Sequence, residues 1–334
     1  MKILVTGGAG YIGSSTVSAL MDIGHDVVIL DSLVTGRREF VKDKCFYEGD
    51  VADKSLLDRI FTEHRDIDAC IHFAALILVP ESVRRPYHYY TENVCKSLAL
   101  FNNLEMLGLS RIVFSSSASI YDMVPGFKVD ESSPKNPQSP YARTKYIMEM
   151  VLEDICRATK LRSIALRYFN PIGADPSMRS GPYDPSPSHV MGKMVNVALG
   201  NEECFQITGV DWPTRDGSGI RDYIHVWDLA RAHVLAVEKF DGVLAKAGQS
   251  YLPINLGTGN GVTVKELVAA FEQVWGSPIN KVEAPPRPGD VAGAYADCTR
   301  AGELLGWKAK LSTAQGIADA LKWTDTARKK MLGY

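Results

Sequence analysis

The chain has 334 residues, 46% of them hydrophobic and 23% charged, with a formal net charge of −2. This composition excludes wholesale disorder, and the near-balance of charge offers no general basic surface for nucleic acid. The longest uninterrupted apolar stretch, Phe73 to Val79, falls far short of the roughly 20 residues of a membrane-spanning helix.

In chain order, apolar runs over 2–6, 26–30, 45–47, 69–73, 111–115 and 163–168 predict strands. They are apolar on both faces rather than alternating, as strands buried inside a parallel sheet are. Helical patterns fall between them, over 12–23, 55–63, 90–107 and 141–158. Strand and helix in alternation imply a parallel sheet covered on both faces. After about Asn170 the texture changes. Residues 174–188 are dense in Pro, Gly, Ser and Asp and read as loop, and 190–199 reads as a short helix. Runs over 221–226 and 251–256 read as strands returning to the first domain. Residues 265–275 and 301–305 read as helical, with a Pro-rich loop at 284–289. A second, discontinuous lobe follows from this order.

The six cysteines, Cys45, Cys70, Cys95, Cys156, Cys204 and Cys298, form no C-x-x-C pair and are expected reduced and mostly buried, as in a cytoplasmic protein. The seven histidines show no H-x-H or H-x-x-x-H spacing, so no metal site is expected. The apolar run at the N-terminus meets glycine at once and is too short for a signal-peptide core.

Three motifs carry chemistry. Gly7-Gly8-Ala9-Gly10-Tyr11-Ile12-Gly13 follows the first strand and opens the first helix, where glycines let a backbone approach a pyrophosphate held at the helix N-terminus. The spacing is G-x-x-G-x-x-G over Gly7, Gly10 and Gly13. Asp31 closes the next strand, where a carboxylate accepts from ribose hydroxyls and repels a 2′-phosphate, which favours NAD over NADP although Arg37 and Arg38 follow closely. Tyr141 and Lys145 lie four apart at the start of a predicted helix, on one face. An ammonium there favours the tyrosine's phenolate, so a proton-transferring role is open beside that of a plain solvated face. Ser115-Ser116-Ser117 ends a predicted strand, the end at which a doubly wound sheet binds its ligands.

These motifs, with Pro137-Gln138-Ser139-Pro140-Tyr141, Arg167-Tyr168-Phe169-Asn170-Pro171, the run from Gly217 to Leu229, Asn255-Leu256-Gly257 and Arg287-Pro288-Gly289-Asp290, are those of a known family. The chain resembles the extended short-chain dehydrogenase/reductases and, within them, the UDP-glucose (UDP-galactose) 4-epimerase family, to about Trp323. The resemblance implies an α/β fold: a doubly wound parallel sheet (Rossmann) over 1–173 plus 221–258, and a smaller substrate-binding lobe over 174–220 plus 259–334. It implies NAD held by Gly7, Gly10, Tyr11, Ile12 and Gly13 at the pyrophosphate, and by Asp31 and Ser32 at the adenosine ribose. Asp50 and Val51 would border the adenine, and Phe73, Ala74, Ala75, Asn93, Ser115 and Tyr168 would line the rest of the cleft. Tyr141 is the implied base, Lys145 its partner and a ribose ligand, and Ser117 a hydrogen-bond partner of the sugar O4. Phe169, Asn170, Arg221, Tyr223, Arg287 and Asp290 would hold a nucleoside-diphosphate sugar. A homodimer through helices 90–107 and 141–158 is also implied.

Several positions depart from the family pattern. Ala75-Leu76-Ile77 replaces a Gly-Leu-Lys, Ser188-His189 stands for an Asn pair, Thr208 for an aromatic beside the base, and Asp122 for a glycine. Ala294 aligns with the residue that decides whether a 2-N-acetyl group fits, so room for one is expected; a shift of one would put Tyr295 there. A 4,6-dehydratase would need an Asp-Glu pair where Ala118-Ser119 stands. An NAD(P)-dependent 4-ketoreductase shares the Tyr-Lys pair, and a non-catalytic NAD sensor shares the fold; Asp31 argues against the first and the intact triad against the second.

Overall fold

The computed structural model describes residues 1–184, 186–286 and 290–333. Strand β1 (Lys2–Thr6) leads through the glycine loop into α1 (Tyr11–Asp22), then β2 (Asp26–Asp31), β3 (Cys45–Glu48), α2 (Lys54–Glu63) and β4 (Ile67–His72). A helical run follows in three parts, α3 (Val79–Arg84), α4 (Pro86–Tyr90) and α5 (Lys96–Met106). Then come β5 (Arg111–Ser115), the short β6 (Lys128–Val129), the long α6 (Pro140–Ala158), β7 (Arg162–Tyr168) and β8 (Asn170–Ile172). The remainder comprises α7 (Val190–Ala198), β9 (Phe205–Thr208), β10 (Ile220–Arg221), β11 (Tyr223–His225), α8 (Val226–Glu238), α9 (Phe240–Ala247) and β12 (Tyr251–Leu256). It ends with β13 (Val262–Thr263), α10 (Val264–Trp275), β14 (Lys281–Ala284), β15 (Gly293–Ala296) and α11 (Thr313–Lys322).

Seven strands form one parallel sheet in the order β12-β7-β5-β4-β1-β2-β3. Its apolar strands are buried on both faces. One core joins Ile3, Val5, Ile29 and Ile71 to α1 and α8, and the other joins Leu4, Val28, Cys70 and Phe114 to α2, α5 and α6. The strand order reverses between β1 and β4, which opens a crevice at their C-terminal ends. Helix α6 starts where the sequence places a start signal: Pro140 occupies the first turn and Ser139 accepts from the Ala142 amide at 3.2 Å.

Three expectations are corrected. The run 221–226 is not one strand: β11 returns to the first domain by pairing with β8, outside the main sheet, while β10 joins β13, β15 and β6. Asp222 between them is fully buried and collects the amides of Thr258 (2.7 Å), Gly259 (3.1 Å) and Ala296 (3.2 Å), so the chain turns there instead of running on. The helix expected over 90–107 contains an expanded turn, Thr91–Cys95, that breaks the regular ladder and directs Asn93 inward. The cysteines are all free thiols, yet only Cys70 and Cys156 are buried; Cys45, on the sheet's edge strand, and Cys95, in the expanded turn, are exposed.

The second lobe packs α7, β9, α10 and α11 around Met191, Met194, Phe205, Ile207, Leu267, Phe271 and Ile317. Helix α10 carries a reciprocal cap between Thr263 and Glu266 and ends on Gly276 at φ 87°.

Candidate active site

The crevice is shaped first by glycine. A Cβ on Gly7 would stand 2.6 Å from the Ala74 amide nitrogen, and one on Gly13 would stand 2.1 Å from the Gly7 carbonyl. The loops after β1 and β4 therefore meet backbone to backbone, while at Gly10 the nearest atoms lie 3.3 and 3.8 Å away. This leaves a cradle of amides at the start of α1, which suits a pyrophosphate.

Asp31 ends β2 facing that cradle. Its two carboxylate oxygens accept from the Ala9 amide at 2.9 Å and the Leu33 amide at 2.8 Å, and burial pushes its pKa up. Each oxygen retains a lone pair for a ribose hydroxyl. Ser32 next to it is exposed. The Tyr11 hydroxyl is engaged by the Gly173 carbonyl at 2.6 Å, so Tyr11 offers its backbone and ring rather than its hydroxyl. Asp50 is paired with Lys96 at 2.6 Å, and Val51 packs on the core beneath it. These residues, with Phe73, Ala74 and Ala75 at the end of β4, fit a dinucleotide of the NAD type.

Asn93 lies beside the crevice as a clamp. Its Oδ1 accepts from the Leu76 amide at 2.8 Å, and its Nδ2 donates to the Leu76 carbonyl at 2.9 Å and to Thr144 at 3.1 Å. It holds the 73–78 segment in place and has no donor left for a ligand. The exposed Ile77 of that segment, 62% accessible, stands where the family pattern carries a lysine.

The reactive groups converge at the ends of β5 and β7. Tyr141 in the first turn of α6 faces Ser117; burial raises its pKa and the Ser117 hydroxyl beside it lowers it. Lys145, one turn on and 4% exposed, donates from Nζ to the Ser115 carbonyl at 2.7 Å and lies 5.1 Å from the Phe114 ring centroid. Burial pulls its pKa down to about 7, opposed by the carboxylate of Glu149. The Ser115 hydroxyl bonds Tyr168 at 2.6 Å, and Ser117 also reaches Ser119 at 2.9 Å. His233 of α8 packs between Phe73 and Tyr168, with ring centroids at 4.6 and 6.1 Å; burial depresses its pKa to about 4 and leaves it neutral.

The expected substrate residues are less uniformly placed. Arg221 reaches the Ile220 and Ala292 carbonyls from Nη1 at 2.7 and 2.8 Å and the Val291 carbonyl from Nη2 at 3.0 Å, bracing the segment that follows Asp290. Asn170 is exposed on β8, and its amide donates to the Asp222 carbonyl at 3.0 Å. Tyr223 is buried among Ile172, Leu267 and Phe271, a core position rather than a cleft surface. Ser188 and His189 are exposed ahead of α7, and Thr208 is half-buried at the end of β9. Ala294 packs on the cluster of Ile120, Tyr121, Val129 and Phe169, while the Tyr295 ring turns toward Gly261 and Ile220. Arg287 lies outside the described residues.

Sequence reasoning did not single out Asp222, His233, Glu149 or Tyr183. The Tyr183 hydroxyl, from the loop after β8, sits 3.8 Å from where a Cβ on Gly10 would be, and its ring is stacked by Arg37 at 5.2 Å. Asp222 stood inside a motif already noted; the others carry no local signal because their partners are distant in sequence.

A sequence model of the NAD-dependent epimerase/dehydratase family matches residues 3–252. A UDP-glucose 4-epimerase of Bacillus subtilis (strain 168) is 43% identical over 97% of this chain and 96% of its own. The chain belongs to the UDP-glucose 4-epimerase family. Two solved members of the epimerase family show the same architecture. That of Stenotrophomonas maltophila, with bound NAD and formylated UDP-arabinopyranose, superposes with a TM-score of 0.93 at 38% identity, covering 100% of both chains. That of Bifidobacterium longum, in complex with NAD+ and UDP, gives a TM-score of 0.91 at 36% identity over 98% of this chain and 99% of that one.

Proposed function

We propose that the chain is an NAD-dependent 4-epimerase that interconverts UDP-glucose and UDP-galactose through a transient 4-keto sugar. The observation that carries this reading is the Tyr141–Ser117 contact, with Lys145 one helical turn away, at the sheet end beside the glycine cradle. When bound, NAD supplies a reversible acceptor for the C4 hydride. Tyr141 takes the proton of the sugar 4-hydroxyl at Oη and returns it in the second half of the cycle. Ser117 holds that hydroxyl in line with Tyr141. Lys145, protonated, favours the Tyr141 phenolate. Asn170, Arg221, Arg287 and Asp290 are read as gripping the diphosphate, so that the 4-keto sugar can turn over without leaving, which keeps both half-reactions effectively intramolecular.

The same reading extends to N-acetylated hexosamines. Ala294 contributes only a methyl group to the wall it shares with Phe169, and the bulkier Tyr295 faces the other way. A panel of UDP-, dTDP-, GDP- and CDP-sugars assayed for C4 inversion without added reductant tests the proposal. Turnover of UDP-glucose and of UDP-N-acetylglucosamine is expected. Activity confined to UDP-glucose would overturn the extension, and a requirement for added NADPH would overturn the epimerase reading.

We also read the protein as a cytoplasmic homodimer. Free cysteines suit a reducing compartment. Leu98 on α5 and Met150 on α6, 43% and 42% accessible, expose apolar surface on the two helices that the family resemblance assigns to the dimer contact. A monomeric mass at micromolar concentration in analytical ultracentrifugation would contradict the dimer.

A further inference from the structure

A buried charged pair that the proposed reaction does not use lies beneath the serine run. Glu149 continues the four-residue step of Tyr141 and Lys145 along α6, so all three lie along one face of the helix. Glu149 and Arg167 are each 3% exposed. Arg167 donates to Glu149 from Nε at 2.9 and 3.1 Å and from Nη2 at 2.5 Å. The Ser116 hydroxyl donates to the same carboxylate. Ser116 is the middle member of the run whose neighbours the proposed reaction uses: Ser115 receives Lys145 on its carbonyl and Ser117 faces Tyr141.

The pair is anchored further back. Arg167 Nη1 reaches the Tyr121 hydroxyl at 2.9 Å and the Glu131 carbonyl at 3.0 Å. Tyr121 in turn donates to Asn255 Oδ1 at 2.6 Å, and the Asn255 amide donates to Glu131 Oε1 at 2.8 Å. A buried ion pair gains little net stability over apolar side chains of similar size. Its placement under a site that needs exact aim has a clearer rationale in positioning. We propose that Glu149 is a positioning residue: acting through Ser116, it fixes the strand end that presents Ser117 to Tyr141 and the Ser115 carbonyl to Lys145. This inference rests on the epimerase reading above.

The charged groups around the carboxylate bear on the test. Arg167 faces it from β7 and Lys145 precedes it by one turn on α6. Glu131, Lys135, Glu153, Arg157 and Tyr251 line the cavity of about 470 Å³ that opens onto the pair, and Arg300 lies 3.6 Å from Glu131. Lys145 itself also faces His72 of β4, which burial keeps neutral. Removing the Glu149 charge takes away the carboxylate that raises Lys145 and leaves Arg167 uncompensated, so both changes push Lys145 down.

Ser116→Ala removes only the link, and Glu149→Gln removes the charge. In Ser116→Ala, kcat for UDP-glucose inversion is expected to fall about tenfold or more, as expected for misplaced reacting groups, with KM and pH profile held at a temperature where the variant remains fully folded. In Glu149→Gln, kcat falls at least as far and the alkaline limb of the profile moves to lower pH. The double variant is no slower than Glu149→Gln alone, because the two changes break one connection. A merely structural role predicts losses that track the folded, NAD-loaded fraction, with kcat per folded and loaded active site unchanged in both variants. Ser116→Ala with wild-type kcat, in an assay where the wild type is active, overturns this inference alone; a wild type that inverts no UDP-sugar overturns the epimerase reading with it.

Discussion

A phenol with a pKa near 10 is a poor base at neutral pH, and burial pushes Tyr141 higher still. The Ser117 hydroxyl beside it lowers it, and in the proposed mechanism a protonated Lys145 favours the phenolate further by its charge. Tyr141→Phe keeps the ring and its packing, so the protein should fold and retain NAD while kcat falls by about 100-fold to 10,000-fold, the usual worth of a positioned proton-transfer group. Steady-state kinetics with a count of bound NAD checks this. Lys145 carries the opposite cost. Its pKa of about 7 lies below that of an unfolded lysine, so protonating it opposes folding; the cost is full below pH 7 and fades as pH rises toward the unfolded value. Lys145→Met should therefore abolish turnover yet raise the thermal midpoint of the cofactor-free protein, by more at pH 6 than at pH 9. Scanning calorimetry at the two values reads it, and a lower midpoint at pH 6 would contradict the burial argument. A group that function keeps at a cost in stability is expected in an active site.

At the scale of elements, the expanded turn before α5 matters most. It delivers Asn93 to the Leu76 backbone, and that contact shapes the wall of the cleft. Asn93→Ala removes the partner of a part-buried amide and carbonyl and should cost about 1 kcal/mol, seen as a lower midpoint in denaturant together with weaker NAD retention. Unchanged stability would mean that the 73–78 segment is held by other contacts. These details also mark where the sequence stops being readable. Strand and helix identity in the sheet was plain, because buried parallel strands read as short continuous apolar runs while amphipathic helices repeat about every 3.6 residues. The glycine loop, Asp31, Ser117, Tyr141 and Lys145 were plain because each sits at a fixed offset from an element boundary. The Asn93 clamp was not, since nothing local distinguishes an expanded turn from an ordinary one. The small sheet of β10, β13, β15 and β6 was invisible for the same reason: strands of two to four residues carry too few positions to show a period. The Glu149–Arg167 pair joins residues 18 apart on a helix and a strand, a contact that only the fold creates.

At the scale of the whole molecule, the chain joins an apparatus for hydride transfer to a lobe suited to gripping a nucleotide. The sheet's reversal of strand order places the cofactor cleft, and the parallel pairing of β10 with β15 sets Arg221 beside Ala294 while β8 carries Asn170. The central claim is that one hydrogen leaves C4 and returns to the same carbon from the other side within a single binding event. Incubating UDP-glucose deuterated at C4 with the protein, without added cofactor, tests this most directly. The account predicts UDP-galactose that keeps the deuterium at C4. Product that has lost the label to solvent, or label retained with no inversion at all, would contradict it.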